Sequence, residues 1–232
     1  MRITPPFVFA TGNVDKAREL MEQLAAATQD HFVAEPIEFE DEIYGFIVTP
    51  ADQHRPVAAP LLIARPDVAE TGSTLEANAR IKAQGMQIAT GLVAIADDTG
   101  LHVDALGGAP GVYSARFAGP GASSADNVKK LLHDLALASA VEAPTRTARF
   151  VTAIHIAAPD GDHTTVFGAV EGLIAAAPCG DGTFGYDPIF IPNEGDGRTF
   201  GEMQSAEKHA LSHRGRAFRS LLETCVIEVE RS

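Results

Sequence analysis

At 232 residues, 45% apolar and 21% charged, the chain has the make-up of a globular protein large enough for one domain or for two lobes around a cleft. With 31 acidic against 18 basic residues, its formal charge of −13 excludes sequence-independent binding to duplex nucleic acid, though not a small anion held by a few local cations. Two cysteines, Cys179 and Cys225, give no disulfide framework and no metal-ligand spacing.

The amino terminus carries no signal pattern, and the most apolar segments are too short or too broken to cross a bilayer. A cytoplasmic protein is expected, with neither a membrane nor a nucleic-acid partner.

Residues 7–10 form a short apolar run that stops at Thr11-Gly12-Asn13, after which apolar residues recur at 14, 17, 20, 21, 24 and 25. This spacing predicts a strand, a glycine turn and a helix capped by Thr11 or Asn13. The open N–H groups of such a helix start attract anions. Lys16, set against the helix dipole in the first turn, makes sense if it faces a phosphate. A plain βα turn with an exposed lysine accounts for the same residues. Neither a Walker-type loop nor a GxGxxG fingerprint occurs.

Phe32, Val33, Ile37 and Phe39 suggest a strand with a solvated acidic face, and residues 43–48 suggest another. A Pro-rich irregular loop is expected at about 41–66, densest from Pro50 to Pro66. Ser73 or Thr74 is expected to cap a second helix with Leu75, Ala79, Ala83, Met86 and Ala89 on its inner stripe. Asn78 and Lys82 share one face of it, and Gly91 ends it.

The apolar run 92–96 then meets Asp97-Asp98-Thr99-Gly100. These residues predict a buried strand ending at the acids, in a turn open to solvent, where ligands of α/β sheets bind. Two adjacent carboxylates repel each other, so a cation is expected beside them, with a hard divalent ion the first candidate. An Asp-rich turn explains the same letters.

Residues 107–117 read as a glycine-rich loop, and 125–138 as an amphipathic helix with Val128, Leu131, Leu132 and Leu135 inward. Residues 149–158 and 164–177 alternate around Pro159-Asp160-Gly161-Asp162 as an antiparallel hairpin. A loop with aromatics between glycines follows at 180–188 and could stack a flat ring. A last helix is expected at about 217–225. Just before it, Lys208, His213, Arg214 and Arg216 concentrate positive charge in an acidic chain, which points to an anion.

Five blocks in order resemble the inosine triphosphate pyrophosphatase family, the Ham1-like dITP/XTP pyrophosphatases. They are Thr11-Gly12-Asn13-Val14-Asp15-Lys16; Glu70-Thr71-Gly72 with Asn78-Ala79 and Lys82-Ala83; residues 96–116; Phe184-Gly185-Tyr186-Asp187-Pro188; and Ser212-His213-Arg214-Gly215. The resemblance implies an α/β fold, elongated and two-lobed, with a central mixed twisted β-sheet flanked by helices and a cleft between the lobes. The whole chain, 1–232, would form a single pyrophosphatase domain, commonly a homodimer.

The resemblance further implies hydrolysis of ITP, dITP and XTP to the monophosphate and pyrophosphate, which cleanses the nucleotide pool. Asp98 would be the general base and a magnesium (Mg2+) ligand, with Glu70 a second metal ligand and Asp97 in support. Thr11, Gly12, Asn13, Val14, Asp15 and Lys16 would hold phosphates. Thr99 would keep the hydroxyl of the usual Ser. Phe184, Gly185, Tyr186, Asp187, Lys208, His213 and Arg214 would contact base, sugar or phosphates.

The chain departs from the family pattern in two places. Ala77 stands where the family often has Glu, and Glu76 lies about 100° round the helix. The stretch between Leu20 and Glu70 is also longer than usual. Two other functions fit parts of the pattern: a pyrophosphatase of this architecture for pyrimidine or modified nucleotides, and a non-catalytic nucleotide sensor. Intact Asp98 and Glu70 count against the sensor.

Overall fold

In a computed structural model, residues 1–29, 32–39, 42–53, 68–138, 145–181 and 184–228 are described. Strand β1 (Arg2–Ile3) pairs in parallel with β10 (Val226–Ile227), the last element among the described residues. Between them run β2 (Phe7–Phe9), α1 (Val14–Thr28), β3 (Phe32–Phe39), β4 (Glu42–Pro50), α2 (Leu75–Thr90), β5 (Ala94–Val103) and β6 (Pro110–Gly111). Then come α3 (Ser124–Leu137), β7 (Thr147–Ala157), β8 (His163–Ile174), β9 (Phe190–Pro192), α4 (Ser205–Leu211) and α5 (His213–Thr224).

Among the described residues the main sheet has eight strands in the order β3-β4-β2-β5-β7-β8-β9, with β6 added on β5. It is mixed, because β2 pairs with β5 in parallel and with β4 antiparallel. Edge strand β3 carries Pro36, which a central strand would not tolerate.

The chain divides into two compact units, one of residues 1–98, 153–166 and 217–232, the other of 99–152 and 167–216. In the first, Leu20 and Leu24 of α1 and Phe218 and Leu221 of α5 pack with Phe7, Phe9, Ile95, Ile154 and Ile156. The intervening strand residues Val8, Ala94, Ala96 and Ala157 pack instead with Ala83 and Met86 of α2. Both faces of these strands are therefore dry, which is why they read as unbroken apolar runs. In the second unit, Val128, Leu131 and Leu135 of α3 join Leu101, Val103, Phe150, Val170, Ile174, Phe190 and Phe200.

Several expectations are sharpened or corrected. Asn13 caps α1 by accepting from Lys16 N, and Thr74 caps α2 by accepting from Ala77 N. Gly91 ends α2 in the left-handed conformation. The buried stripe of α1 begins at Ala17, and Val14 is 57% exposed. Strand β5 does not stop at the acids but runs on to Val103, because Leu101 and Val103 bury their side chains and Leu101 and His102 pair with β6. Part of the loop expected at 41–66 is sheet: residues 42–50 are β4, which pairs with β2 and β3, and Ala51–Gln53 is one 3-10 turn. Residues 54–67 of that expected loop lie outside the described residues. The last helix starts at His213 rather than near 217.

Candidate active site

Successive side chains of a strand point to opposite faces, so the Asp97-Asp98 pair of β5 is split. Asp97 faces the side packed by α1, where Lys16 Nζ lies 3.0 Å from its Oδ2. Asp98 faces the side packed by α2. Its Oδ1 accepts from Lys82 Nζ at 3.2 Å and its Oδ2 from Asn78 Nδ2 at 3.2 Å. The two acids were expected to share one cation, but strand alternation gives each its own lysine.

Lys82 also donates to Glu70 Oε1 at 2.8 Å, so one ammonium ties Glu70 to Asp98. Asn78 is fully buried and accepts from Gly72 N at 2.8 Å. A Cβ on residue 72 would lie 2.7 Å from Asn78 Oδ1, so only glycine lets the backbone that follows Glu70 come this close. Glu76 is exposed and takes no part in the cluster.

Asp98 is 6% exposed. Burial pushes its carboxyl above the usual carboxylate range, with Glu70 and Asp97 adding to the push and Lys82 and Lys16 opposing it. Burial disfavours the Lys82 ammonium, but Asp98, Asp97 and Glu70 outweigh that and hold it charged. A carboxylate with a raised proton affinity, fixed by two donors, is suited to accepting a proton.

Among the described residues, no three His, Cys, Asp or Glu side chains gather into a metal cage. Glu70 and Asp98 are two hard oxygen donors held on one ammonium. That donor set fits magnesium, which keeps several waters and takes one or two carboxylates together with substrate phosphates.

The turn before α1 is already used by the protein. Thr11 Oγ1 accepts from Asn13 N at 3.1 Å, and Asp15 pairs with Arg18 at 2.6 Å. Gly12 is exposed, and a Cβ there would meet the Ile43 carbonyl oxygen. Of residues 11–16, Lys16 alone reaches the acids of β5 among the contacts described.

The second unit holds another charged group. Lys208 of α4 pairs with Asp187 at 2.6 Å, both side chains about nine-tenths buried. Phe184 lies beneath two cations, its ring centre 5.4 Å from Lys208 Nζ and 5.7 Å from Arg214 Cζ. Arg214 Nη2 is 3.4 Å from Thr99 Oγ1, which in turn lies 2.7 Å from Thr152 Oγ1. His213 stacks on Phe150 with ring centres 4.4 Å apart.

Gly185 donates its N–H to Ser124 Oγ. Tyr186 is buried, its hydroxyl donates to Ser114 O, and burial raises its proton affinity, so its side chain belongs to the core. Arg216 is neutralised by Glu194 at 2.6 Å. Gly215 lets the turn from α4 to α5 close, since a Cβ there would overlap the His209 carbonyl oxygen. Gly215→Ala should therefore lose about 2 kcal/mol of stability in chemical denaturation.

The Ham1 family model matches residues 7–224. The chain belongs to the Ham1 family. A curated relative from Streptococcus pyogenes, named dITP/XTP pyrophosphatase, is 51% identical over 158 residues, covering 68% of this chain and 47% of the relative. The chain spans about half the length of the curated relatives it matches. A solved HAM1 protein from Coxiella burnetii is 33% identical with a TM-score of 0.70, covering 97% of this chain and 98% of that one. A crystal structure of a nucleoside-triphosphatase, a dITP/XTP pyrophosphatase, from Mycobacterium abscessus is 36% identical with a TM-score of 0.64, covering 97% and 99%.

Lys82 and Asn78 were noted in the sequence as sharing a helix face and as part of the second family block, and neither was among the predicted site residues. The partners of Lys82 lie 12 and 16 residues away, beyond any local pattern. Thr152 carries no sequence signal at all.

Proposed function

We propose that this Ham1-family chain hydrolyses deaminated purine nucleoside triphosphates (ITP, dITP and XTP) to the monophosphate and pyrophosphate. The observation that carries this reading is the buried Asp98 carboxylate, raised in proton affinity and held between Asn78 and Lys82 beside Glu70. The names of the relatives support the substrate class.

In this mechanism Asp98 takes a proton from water as the water oxygen bonds to the α-phosphorus. The bond from that phosphorus to the bridging oxygen breaks, and pyrophosphate leaves with the electron pair. Glu70 and Asp98 would hold the magnesium ion, which supplies charge neutralisation of the phosphates. Lys16, at the start of α1, stabilises negative charge on phosphate oxygens, and the N–H groups of the turn at 11–16 add to it.

Phe184 offers its face to the base. Lys208 and Arg214 beside it have hydrogen-bond donors only. A ring edge bearing a carbonyl at position 6 satisfies such donors, whereas the amino group of adenine would set donor against donor. Phe184→Ala should raise KM for ITP about tenfold, read from steady-state kinetics, while the melting temperature stays near wild type because the ring is only half-buried.

The proposal includes a cytoplasmic homodimer. The family resemblance supports the dimer, as do two aromatic side chains of the second unit left in water, Tyr113 at 59% and Phe167 at 52% exposure. Sedimentation velocity tests it.

A panel of ITP, dITP, XTP, GTP, ATP, dUTP and dTTP, with and without magnesium and scored for pyrophosphate against inorganic phosphate, tests the activity. Magnesium-dependent pyrophosphate release from the first three is expected. Preference for the pyrimidine nucleotides would move the chain to a different substrate, and binding without turnover would make it a sensor.

A further inference from the structure

Phe184 and Gly185 share a peptide bond that is held at both of its polar ends. The carbonyl oxygen accepts from Asp187 N at 3.2 Å, which closes a tight turn, and the N–H donates to Ser124 Oγ at 3.2 Å. A peptide unit is planar, so bonds at its two edges fix its plane and, with it, the backbone that carries the Phe184 side chain. Tyr186 packs into the core of the second unit, whereas Phe184 is half-buried. The aim of the Phe184 ring therefore depends on this backbone.

Ser124 is itself firmly placed. It is the first residue of α3, directly after Ser123, whose hydroxyl forms a capping box with Asp126. One turn on, the buried Asn127 accepts from Ala118 N at 2.7 Å and donates to Ala115 O at 3.1 Å. The segment so tied to α3 also receives the Tyr186 hydroxyl, which donates to Ser114 O at 2.9 Å. Gly185 and Tyr186 are thus anchored on one platform, α3 and the turn at 114–118. The capping role belongs to Ser123, so deleting the Ser124 hydroxyl leaves the helix start intact.

We propose that Ser124 is a positioning residue for the purine base: its hydroxyl oxygen, acting through the Gly185 N–H, sets the angle at which the Phe184 ring meets the base beside Lys208 and Arg214. The proposal rests on the reading of Phe184 as the face that takes the base, and deepens it. Ser124 does not touch the nucleotide. Its effect falls on binding of the base and not on proton removal from water by Asp98.

The test is Ser124→Ala, which deletes the acceptor at a helix position where alanine is favourable, assayed with ITP and magnesium. KM should rise about fivefold, the equivalent of one ordinary hydrogen bond, with kcat within about twofold of wild type and an unchanged melting temperature. Amide exchange of Gly185 in the nucleotide-free protein should speed up about tenfold. Ser124→Thr keeps the acceptor, and KM should follow Gly185 protection across the three proteins. In a Phe184→Ala background, Ser124→Ala should add less than about twofold to KM, because its action passes through the missing ring.

An unchanged KM or unchanged Gly185 exchange in Ser124→Ala, a KM in either variant that departs from Gly185 protection, a loss that falls mainly on kcat, or an effect that adds in full to that of Phe184→Ala overturns the positioning role while ITP turnover by the wild type still stands. A wild-type protein that neither binds nor hydrolyses nucleoside triphosphates overturns the functional reading, and this inference with it.

Discussion

Asp98→Asn is expected to slow pyrophosphate release from ITP by about a thousandfold in a protein that still folds. The asparagine keeps the size of the side chain and one acceptor for Lys82. What it lacks is the lone pair and charge that take up the proton of the attacking water. It also turns an amide N–H2 toward Asn78 Nδ2, and Asn78 has no freedom to flip because its Oδ1 is held by Gly72 N. That mismatch costs about 1 kcal/mol, offset in part because a buried carboxylate raised in proton affinity is itself unfavourable in the charged form. Single-turnover assays for pyrophosphate, with thermal melting as the folding control, check both statements. A loss smaller than about tenfold, well below the range for a general base, would assign the base elsewhere. Glu70, tied to the same lysine, would be the next residue to replace.

How much of this could be read from the sequence depends on how local the physics is. The turn and helix at 11–28 and the hairpin of β7 and β8 were legible, because apolar spacing and strict alternation are short-range signals. In β8, Val166, Val170 and Ile174 go inward while Phe167 stays out. The strand through Asp97 and Asp98 was misjudged at its far end because Asp-Asp-Thr-Gly is turn chemistry. Pairing with β6 and burial of Leu101 and Val103 override it. Once the strand continues, alternation alone sends the two acids to opposite faces, each beside its own lysine.

The start of α5 was hidden by Gly215, which looks like a helix breaker. There it is required by the close approach of the His209 carbonyl. Lys16 was legible as a cation in an unfavourable place on the helix dipole, and Asp97 is the partner that makes it tenable. The pairings of Lys82 with Asp98, Lys208 with Asp187 and Thr99 with Thr152 are tertiary, joining residues 16, 21 and 53 positions apart. No periodicity encodes them.

Lys82→Gln separates a charge effect from a scaffold effect. Lys82, ahead of Lys16, is the main charge holding the Asp98 carboxyl down against burial, while Glu70 and Asp97 push it up. Without the ammonium, Asp98 and Glu70 face each other with no shared counter-charge, and Asp98 binds its proton more tightly still. Since Asp98 acts only when ionised, kcat/KM falls as pH drops through its pKa. In Lys82→Gln this acid limb moves to higher pH than in wild type. Bound magnesium pulls Asp98 downward in both proteins, so the sign of the difference survives it.

At neutral pH kcat/KM should drop about a hundredfold, within the range of one positioned charge in a water-poor site, and part of the loss should return on raising the pH. Lys82→Arg keeps the charge and should leave the limb where it was. Stability follows the same sign. Removing one partner of a buried pair costs about 3–5 kcal/mol, and with a folded-state pKa above the unfolded one Asp98 relieves that cost as it takes up its proton. Denaturation should therefore show Lys82→Gln closer to wild type at mildly acidic than at mildly alkaline pH. A limb that stays put, together with a stability loss that ignores pH, would mean that Lys82 only props α2 against the sheet.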